Sequence, residues 1–329
     1  MKIGVLSGKE TFTDVLVDEI NRRNIPGLSA EFCRIDAARM NEPSPYRVIL
    51  DRISHWITYY RTYLKNAALT GTCVVNNPFW FSADDKFFNY SLADRLGIAV
   101  PRTMCLPSRD YDPDVETTDL RNLVFPLDWS TVIDYVRFPA VLKPYDGYGW
   151  RDVHIVADEA ELMAAYNESG EDVMMLQEYI DYDHYVRAFV VGQQHVLPIR
   201  YAPDERRYIV DHDHLTPALG DTVVNACIRL NEALGYDLNT VEFAIRDGVP
   251  YAIDFMNPVP EAKPKVITPM YFQWLVKHVA DVLIDAAVQG RTTPTAMAAR
   301  TPLSPALSGE TVQEADTLAT APESPQISR

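Results

Sequence analysis

The sequence predicts an α/β protein, with an open N-terminal α/β domain followed by a second region of alternating strands and helices. Three observations carry the prediction. Short apolar runs alternate with helix-periodic segments through the first hundred residues, the pattern of an open sheet with covering helices. Two strand–turn–strand units follow, around Asp146-Gly147 and Asp247-Gly248. From residue 291 to residue 329 Thr, Pro, Ala, Ser and Glu replace the large apolar residues, so this stretch reads as a disordered tail outside the fold.

Taken in order, residues 2–6 read as a buried strand. Val15, Leu16, Glu19 and Ile20 repeat at helical spacing in a helix from about Thr13 to Arg23. Phe32 to Ile35, Val48 to Leu50 and Thr72 to Asn76 are further short strands, and the aromatic-rich stretch from His55 to Leu69 is predicted helical. Asn76 to Phe81 reads as a packed loop. Ser82-Ala83-Asp84-Asp85 then caps a helix running to Leu96, which Gly97 closes. Ile98 to Pro101 starts a new unit, and residues 106–130, rich in Asp and Pro, read as a long loop. The expected divisions are 1–100, 101–180, 181–290 and the tail 291–329.

Composition narrows the function. With 329 residues, 47% of them hydrophobic, the chain can bury a large core in two or three subdomains. A net charge of -16 argues against a nucleic-acid surface or an anionic membrane, both of which need clustered Lys and Arg. No run of about 18 apolar residues exists, and Met1 to Leu6 reads as a strand rather than a signal peptide. The four cysteines, Cys33, Cys73, Cys105 and Cys227, form no CxxC, so reduced thiols in a cytoplasmic protein are expected.

The richest stretch runs from Val241 to Pro258, two apolar strands joined at Asp247-Gly248 that carry Glu242 and Asp254 where core residues belong. Unpaired burial of either carboxylate costs several kcal/mol, so a cation should meet them. With Asn257 they make an oxygen-donor set suited to Mg²⁺, with Mn²⁺ as a substitute. Register decides the matter. A two-residue loop places Glu242 across from Ile253, with Asp254 on the opposite face; a three-residue loop with left-handed Gly248 and a bulge puts both carboxylates on one face. The competing reading is a pair of edge carboxylates bonded to surface Arg or Lys.

A second strand, Phe138 to Lys143, ends in a lysine that needs an anion, and a loop with Gly147 and Gly149 follows that lets backbone amides approach phosphate closely. It is not a Walker A loop, because a strand rather than a helix follows it. Lys86 lies in the first turn of its helix, where only a bound anion makes a cation welcome. Gln177-Glu178-Tyr179-Ile180 joins two strands as a hinge able to offer backbone groups to a purine, with Asp183, His184 and Arg187 just beyond. Asp211-His212-Asp213-His214 suggests either a polar loop or, if it is a strand, two histidines on one face.

Lys86 in its helix, Lys143 in Lys-Pro-Tyr-Asp-Gly-Tyr-Gly, the hinge and the late acidic strand ending at Asn257 occur in the order seen in the ATP-grasp superfamily. Over roughly residues 75 to 285 the chain resembles its carboxylate–amine ligases, a group that includes glutathione synthetase, D-alanine–D-alanine ligase and the ribosomal-protein glutamate ligase. The resemblance implies a two-subdomain ATP-grasp fold after the N-terminal domain, with ATP and Mg²⁺ as cofactors. It implies that Lys86 and Lys143 contact the α- and β-phosphates and that a flap from Tyr145 to Trp150 covers the triphosphate. By the same resemblance Glu178 to Ile180 hold adenine, Asp183 or His184 the ribose, and Glu242, Asp254 and Asn257 the metal. Arg187 and Arg200 resemble arginines that stabilise the acyl phosphate. A small-molecule or peptide carboxylate and an amine are the implied substrates, and a homodimer the implied assembly. The chain departs from the family's Glu-x-Asn motif, since Asp254-Phe255-Met256-Asn257 is one residue longer. Competing functions are a phosphotransferase acting on a hydroxyl and a nucleotide-binding regulatory protein with a degenerate site.

Overall fold

The computed structural model describes residues 1–81, 85–147, 149 and 151–295. Its first layer is a parallel sheet. Strands β1 (Lys2–Leu6), β2 (Ser29–Phe32), β3 (Val48–Asp51) and β4 (Cys73–Val75) lie in the order β2-β1-β3-β4, with α1 (Thr11–Arg22) and α2 (Thr58–Leu69) as crossovers. The second strand lies three residues earlier than predicted. Ala30 is buried against β1, and Cys33 makes one last ladder bond, its N–H donating to Val5 O at 2.9 Å, before the chain leaves. Pro78–Phe81 forms a short helix, α3, where a loop was expected. Helix α4 (Lys86–Arg95) follows, its N-cap Asp85 accepting from Phe88 N, and Gly97 takes φ +68° just beyond it. Of the expected capping segment, Ser82 to Asp84 lie outside the described residues.

The second sheet is antiparallel. It contains β5 (Thr103–Leu106), β6 (Ala140–Pro144), β7 (His154–Val156) and β8 (Met174–Glu178) in the order β5-β8-β6-β7. Two helices, α5 (Trp129–Val136) and α6 (Glu159–Asn167), cover one face, burying Ala140, Leu142, Val156 and Leu176 with Val132, Val136 and Leu162. Helix α5 takes only the last two residues of the predicted 106–130 loop and extends beyond it; Asp128 caps it, accepting from Thr131 N at 3.1 Å.

The third sheet has five antiparallel strands. These are β9 (His184–Val191), β10 (His195–Ala202), β11 (Arg207–Ile209), β12 (Leu238–Arg246) and β13 (Val249–Asp254), in the order β11-β10-β9-β12-β13. Helix α7 (Pro217–Leu234) packs on one face, against Val186, Ala188, Val190, Val241 and Phe243. After the single turn α8 (Pro264–Ile267), helix α9 (Pro269–Val288) fills the other face, burying Phe189, Val191 and Leu238 in one core with Ile3, Val48 and Leu50 of the first sheet. Asn76 adds a polar tie. Its buried amide donates to Leu238 O at 2.7 Å and accepts from Leu238 N at 2.8 Å.

The expected tail begins too early. Arg291 pairs with Asp237, and Thr293 is buried with its hydroxyl accepting from Val74 N at 2.6 Å, so these residues belong to the fold. Residues 296–329 lie outside the described residues. No helix among the described residues is long and apolar enough to cross a membrane.

Candidate nucleotide and metal site

Period-two alternation on the third sheet builds one wall of the site. On β9, Phe189 and Val191 point into the α9 core while Tyr185 and Arg187, further along the same face, reach an open cleft. Their partners on β12 repeat the pattern: Arg187 pairs with Glu242 and Tyr185 with Ala244. The facing wall is the uncovered side of the second sheet, where Val141, Lys143, Ile155 and Gln177 lie together. The cleft between them has a volume of about 310 Å³.

The hairpin register resolves in a form neither alternative anticipated. Arg246 pairs with Val249 across a two-residue turn in which Asp247 (φ +54°) and Gly248 (φ +75°) are both left-handed, a type I′ arrangement. The register then slips by one at the far end, so Phe243 faces Ala252 but Glu242 faces Asp254. Ile253 is the extra residue, and the bulge brings both carboxylates to the cleft face. The three-residue loop is corrected, while the shared face is retained.

Charge is dense here. The Lys86 ammonium, only 8% exposed at the first position of α4, donates to Asp254 Oδ2 at 2.9 Å. Asp254 Oδ1 is buried with no partner among the described residues. Burial opposes ionisation of Asp254, yet the Lys86 and Lys143 ammoniums outweigh it and hold the carboxyl below its ordinary value. Glu242 forms an ion pair with Arg187 Nη2 at 2.5 Å and accepts from the Tyr185 hydroxyl. Arg187 also stacks over the Tyr201 ring at 4.6 Å, and its Nε is buried without a partner among the described residues.

Lys143 spends its three protons on neutral oxygens: Tyr90 Oη and Gln177 Oε1, both at 2.8 Å, and Ile253 O at 3.4 Å. Burial pulls its ammonium down to about 8, against the opposing pull of the Asp254 and Glu242 carboxylates. Tyr90, four residues after Lys86 on α4, was not singled out from the sequence, although the (i, i+4) spacing puts the two on one helix face. Asn239 was also missed. Fully buried, its side chain accepts from Asn257 N at 2.9 Å and donates to Phe255 O at 2.8 Å, which fixes the chain leaving β13.

Most predicted site residues converge. Lys86, Lys143, Gly147, Gly149, Gln177, Glu178, Tyr179, Ile180, Arg187, Glu242, Asp254 and Asn257 all border the cleft. Gln177 does so as a partner of Lys143, bridging it to the Thr103 hydroxyl, rather than as part of a hinge. Tyr145 does not reach the cleft; its main chain accepts from Lys86 N, and its side chain packs on the α7 core. Tyr148 and Trp150 lie outside the described residues. Asp183 is turned away, accepting from Asp247 N at 3.0 Å. His184 pairs with Ile245 on the α7 side of the sheet. Arg200 pairs in register with Val186, one step from Arg187, so it projects from the opposite face and bonds Asp211 at 2.8 Å. Asp211 to His214 form a bend, not a strand, and no group of three or more His, Cys, Asp or Glu side chains fit to hold a metal occurs among the described residues.

The donor set nevertheless fits a hard divalent cation. Mg²⁺ rarely takes an all-protein cage, binding instead through one or two carboxylates plus substrate oxygens. A buried carboxylate oxygen with no partner, beside a second carboxylate and the Asn257 amide, is such an arrangement.

No protein-family model matches this sequence, and no curated protein is similar to it. Solved structures are similar. D-alanine–D-alanine ligase from Bacillus anthracis complexed with ATP superposes with a TM-score of 0.56 at 16% identity, covering 88% of this chain and 97% of that one. A RimK domain ATP-grasp protein from Sphaerobacter thermophilus gives 0.57 at 18% identity, covering 86% and 100%. The ATP-grasp ligase PsnB, complexed with a precursor peptide and AMPPNP, gives 0.57 at 15% identity, covering 87% and 97%. The chain has the fold of the ATP-grasp carboxylate–amine ligases.

Proposed function

We propose that this protein is an ATP- and Mg²⁺-dependent ligase that activates a carboxylate as its acyl phosphate and joins it to an amine. The observation that carries the reading is the unpartnered, buried Oδ1 of Asp254 beside the Lys86 ammonium, in a cleft lined by Gly147 and Gly149. On this reading residues 1–100 precede the grasp, 101–180 form the flap-bearing subdomain and 181–290 the metal-bearing one.

Asp254, Glu242 and Asn257 would hold Mg²⁺, which would supply charge neutralisation for the triphosphate. The chain's own residues do the rest. Glu178 to Ile180 seat the base, and Lys86 and Lys143 take phosphate oxygens. For Lys143 the Ile253 carbonyl, its most distant acceptor at 3.4 Å, is the cheapest bond to exchange. The glycine loop excludes water while a substrate carboxylate oxygen bonds the γ-phosphorus and ADP leaves. The amine then bonds the acyl carbon and phosphate departs, leaving an amide. Arg187 borders the cleft with its Nε unpartnered among the described residues, and on this reading it stabilises the oxyanion that forms as the amine adds and before phosphate departs. A peptide carboxylate or amine fits as readily as a small one, since the PsnB neighbour was solved with a precursor peptide.

One observation favours the degenerate, regulatory reading: both Glu242 oxygens are already engaged, by Arg187 and Tyr185. Incubation with ATP, Mg²⁺, hydroxylamine and pools of carboxylic acids separates the possibilities. The ligase requires carboxylate-dependent ADP release with a trapped hydroxamate. ADP release driven by alcohols alone points to a phosphotransferase, and ATP binding without release points to a regulatory protein.

A further inference from the structure

Asp254 and Asn257 stand one residue further apart than the Glu-x-Asn spacing, and strict strand alternation sends them to opposite faces. Both nevertheless border the cleft. The two residues between them turn the other way: Phe255 is buried in the α7-side core and Met256 packs against it. Phe255 follows the alternation. Met256 breaks it, and is the extra residue.

Asn239 brackets that residue. On β12, Leu238 lies in the α9 core and Val241 and Phe243 in the α7 core, so alternation sends the fully buried Asn239 to the α7 side. Its Nδ2 donates to Phe255 O at 2.8 Å, and its Oδ1 accepts from Asn257 N at 2.9 Å. These are the peptide groups on either side of Met256. A carboxamide offers the donor and acceptor that a peptide unit offers, so Asn239 replaces the ladder bonds that end with β13 at Asp254. Held in this way, the chain returns Asn257 to the cleft. There the Asn257 Nδ2 donates to Thr240 O at 3.4 Å, which leaves its Oδ1 to meet a cation.

Building on the metal-site reading, we propose that Asn239 is a positioning residue: it absorbs Met256 and so delivers the Asn257 oxygen to the cation despite the longer spacing. Calorimetric titration of the full chain with AMPPNP, with and without Mn²⁺, tests this in the absence of turnover. The readout is the factor by which Mn²⁺ tightens AMPPNP, in wild type, Asn257→Ala, Asn239→Ala and the double variant. Residues that hold metal ligands in place are worth about 10–100-fold in metal affinity. Asn239→Ala should therefore cut the Mn²⁺ factor about tenfold or more, as Asn257→Ala does, with metal-free AMPPNP affinity unchanged. The double variant should lose no more than either single one, because both act through one oxygen. A residue that merely supports the fold lowers the unfolding temperature and leaves the Mn²⁺ factor intact. That result, or losses that multiply in the double variant, overturns the assignment and leaves the metal site standing. Asn239→Ser, whose hydroxyl is too short to span both peptide groups, carries the same expectation if Asn239→Ala does not fold. An intact factor in Asn257→Ala removes Asn257 from the site and overturns the assignment with it, and a wild type that Mn²⁺ does not tighten overturns the metal-site reading as well.

Discussion

The two ends of the cleft handle buried charge in opposite ways. At the hinge end each Glu178 oxygen has its own guanidinium, Arg102 Nε at 2.9 Å on one and Arg246 Nη2 at 3.2 Å on the other. The adjoining main chain is equally settled, with Glu178 N donating to Arg102 O and Tyr179 N to Pro139 O. At the lysine end, among the described residues, Asp254 keeps one oxygen unpartnered, Arg187 keeps an unpartnered Nε, and Lys143 is held by neutral oxygens with its ammonium near 8. Buried polar atoms are almost always satisfied, so a concentration of unsatisfied ones marks where a ligand completes the structure. The hinge end is closed by its own ion pairs, whereas the lysine end keeps both signs of charge open to the cleft, as the proposed triphosphate and its cation would require.

The largest expected effect strikes the unsettled end. Asp254→Asn removes the charge that balances Lys86 and Lys143, and Lys143→Ala removes a lysine that bonds both Gln177 of the second sheet and Ile253 of β13. Losing a preorganised charge at a phosphoryl-transfer site costs about 10²–10³ in turnover. Each variant should fall at least that far in carboxylate-dependent ADP release, with thermal unfolding recorded alongside. Wild-type turnover in either variant removes that residue from the site and erases the contrast between the two ends.

Acidity sharpens the same contrast. The Lys143 pKa lies near 8, below its ordinary 10.5, so the folded nucleotide-free protein holds fewer protons than the unfolded chain between those values. This group therefore penalises folding below about pH 8, and the penalty is relieved as pH rises from 8 towards 10.5. Phosphate needs the charged form, so affinity for ATP should fall as pH rises through 8, with proton uptake on binding in that window. Lys143→Met should flatten both trends. A calorimetric proton count that stays at zero from pH 7.5 to 9.5 would show that Lys143 does not meet the nucleotide.

Much of this was legible in the sequence because each signal was local. Lys143 closing an apolar strand, the glycines after it, and two carboxylates on apolar strands all declare a cost that only a ligand or partner can offset. What stayed hidden depended on pairing between distant strands. The shared face of Glu242 and Asp254 rests on a bulge at Ile253, at the far end of a hairpin whose turn type was readable from Asp247-Gly248 alone. Gln177 looked like part of a hinge, and only its pairing with Val141 turns it towards Lys143. Asn239 carries no local signal at all, since only the chain leaving β13 brings Phe255 and Asn257 to its carboxamide.

The smallest expected effect comes from two arginines that look equivalent in the sequence. Arg187 on β9 and Arg200 on β10 are one register step apart, because Arg187 pairs with Ile199 and Arg200 with Val186. That step puts them on opposite faces. Arg200 is half-exposed and bonds Asp211, an exposed ion pair of the kind that adds little to stability. Arg200→Ala should therefore keep turnover within about twofold of wild type, in line with a surface substitution. Arg187 lies buried against Glu242, so its loss strands that carboxylate and lowers both stability and turnover. Arg187→Lys separates the two roles. A lysine restores charge to Glu242 but not the planar fork stacked on Tyr201, so folding should recover more than turnover does. If Arg200→Ala instead matched Arg187→Ala in steady-state turnover, the face assigned to β10 would be wrong.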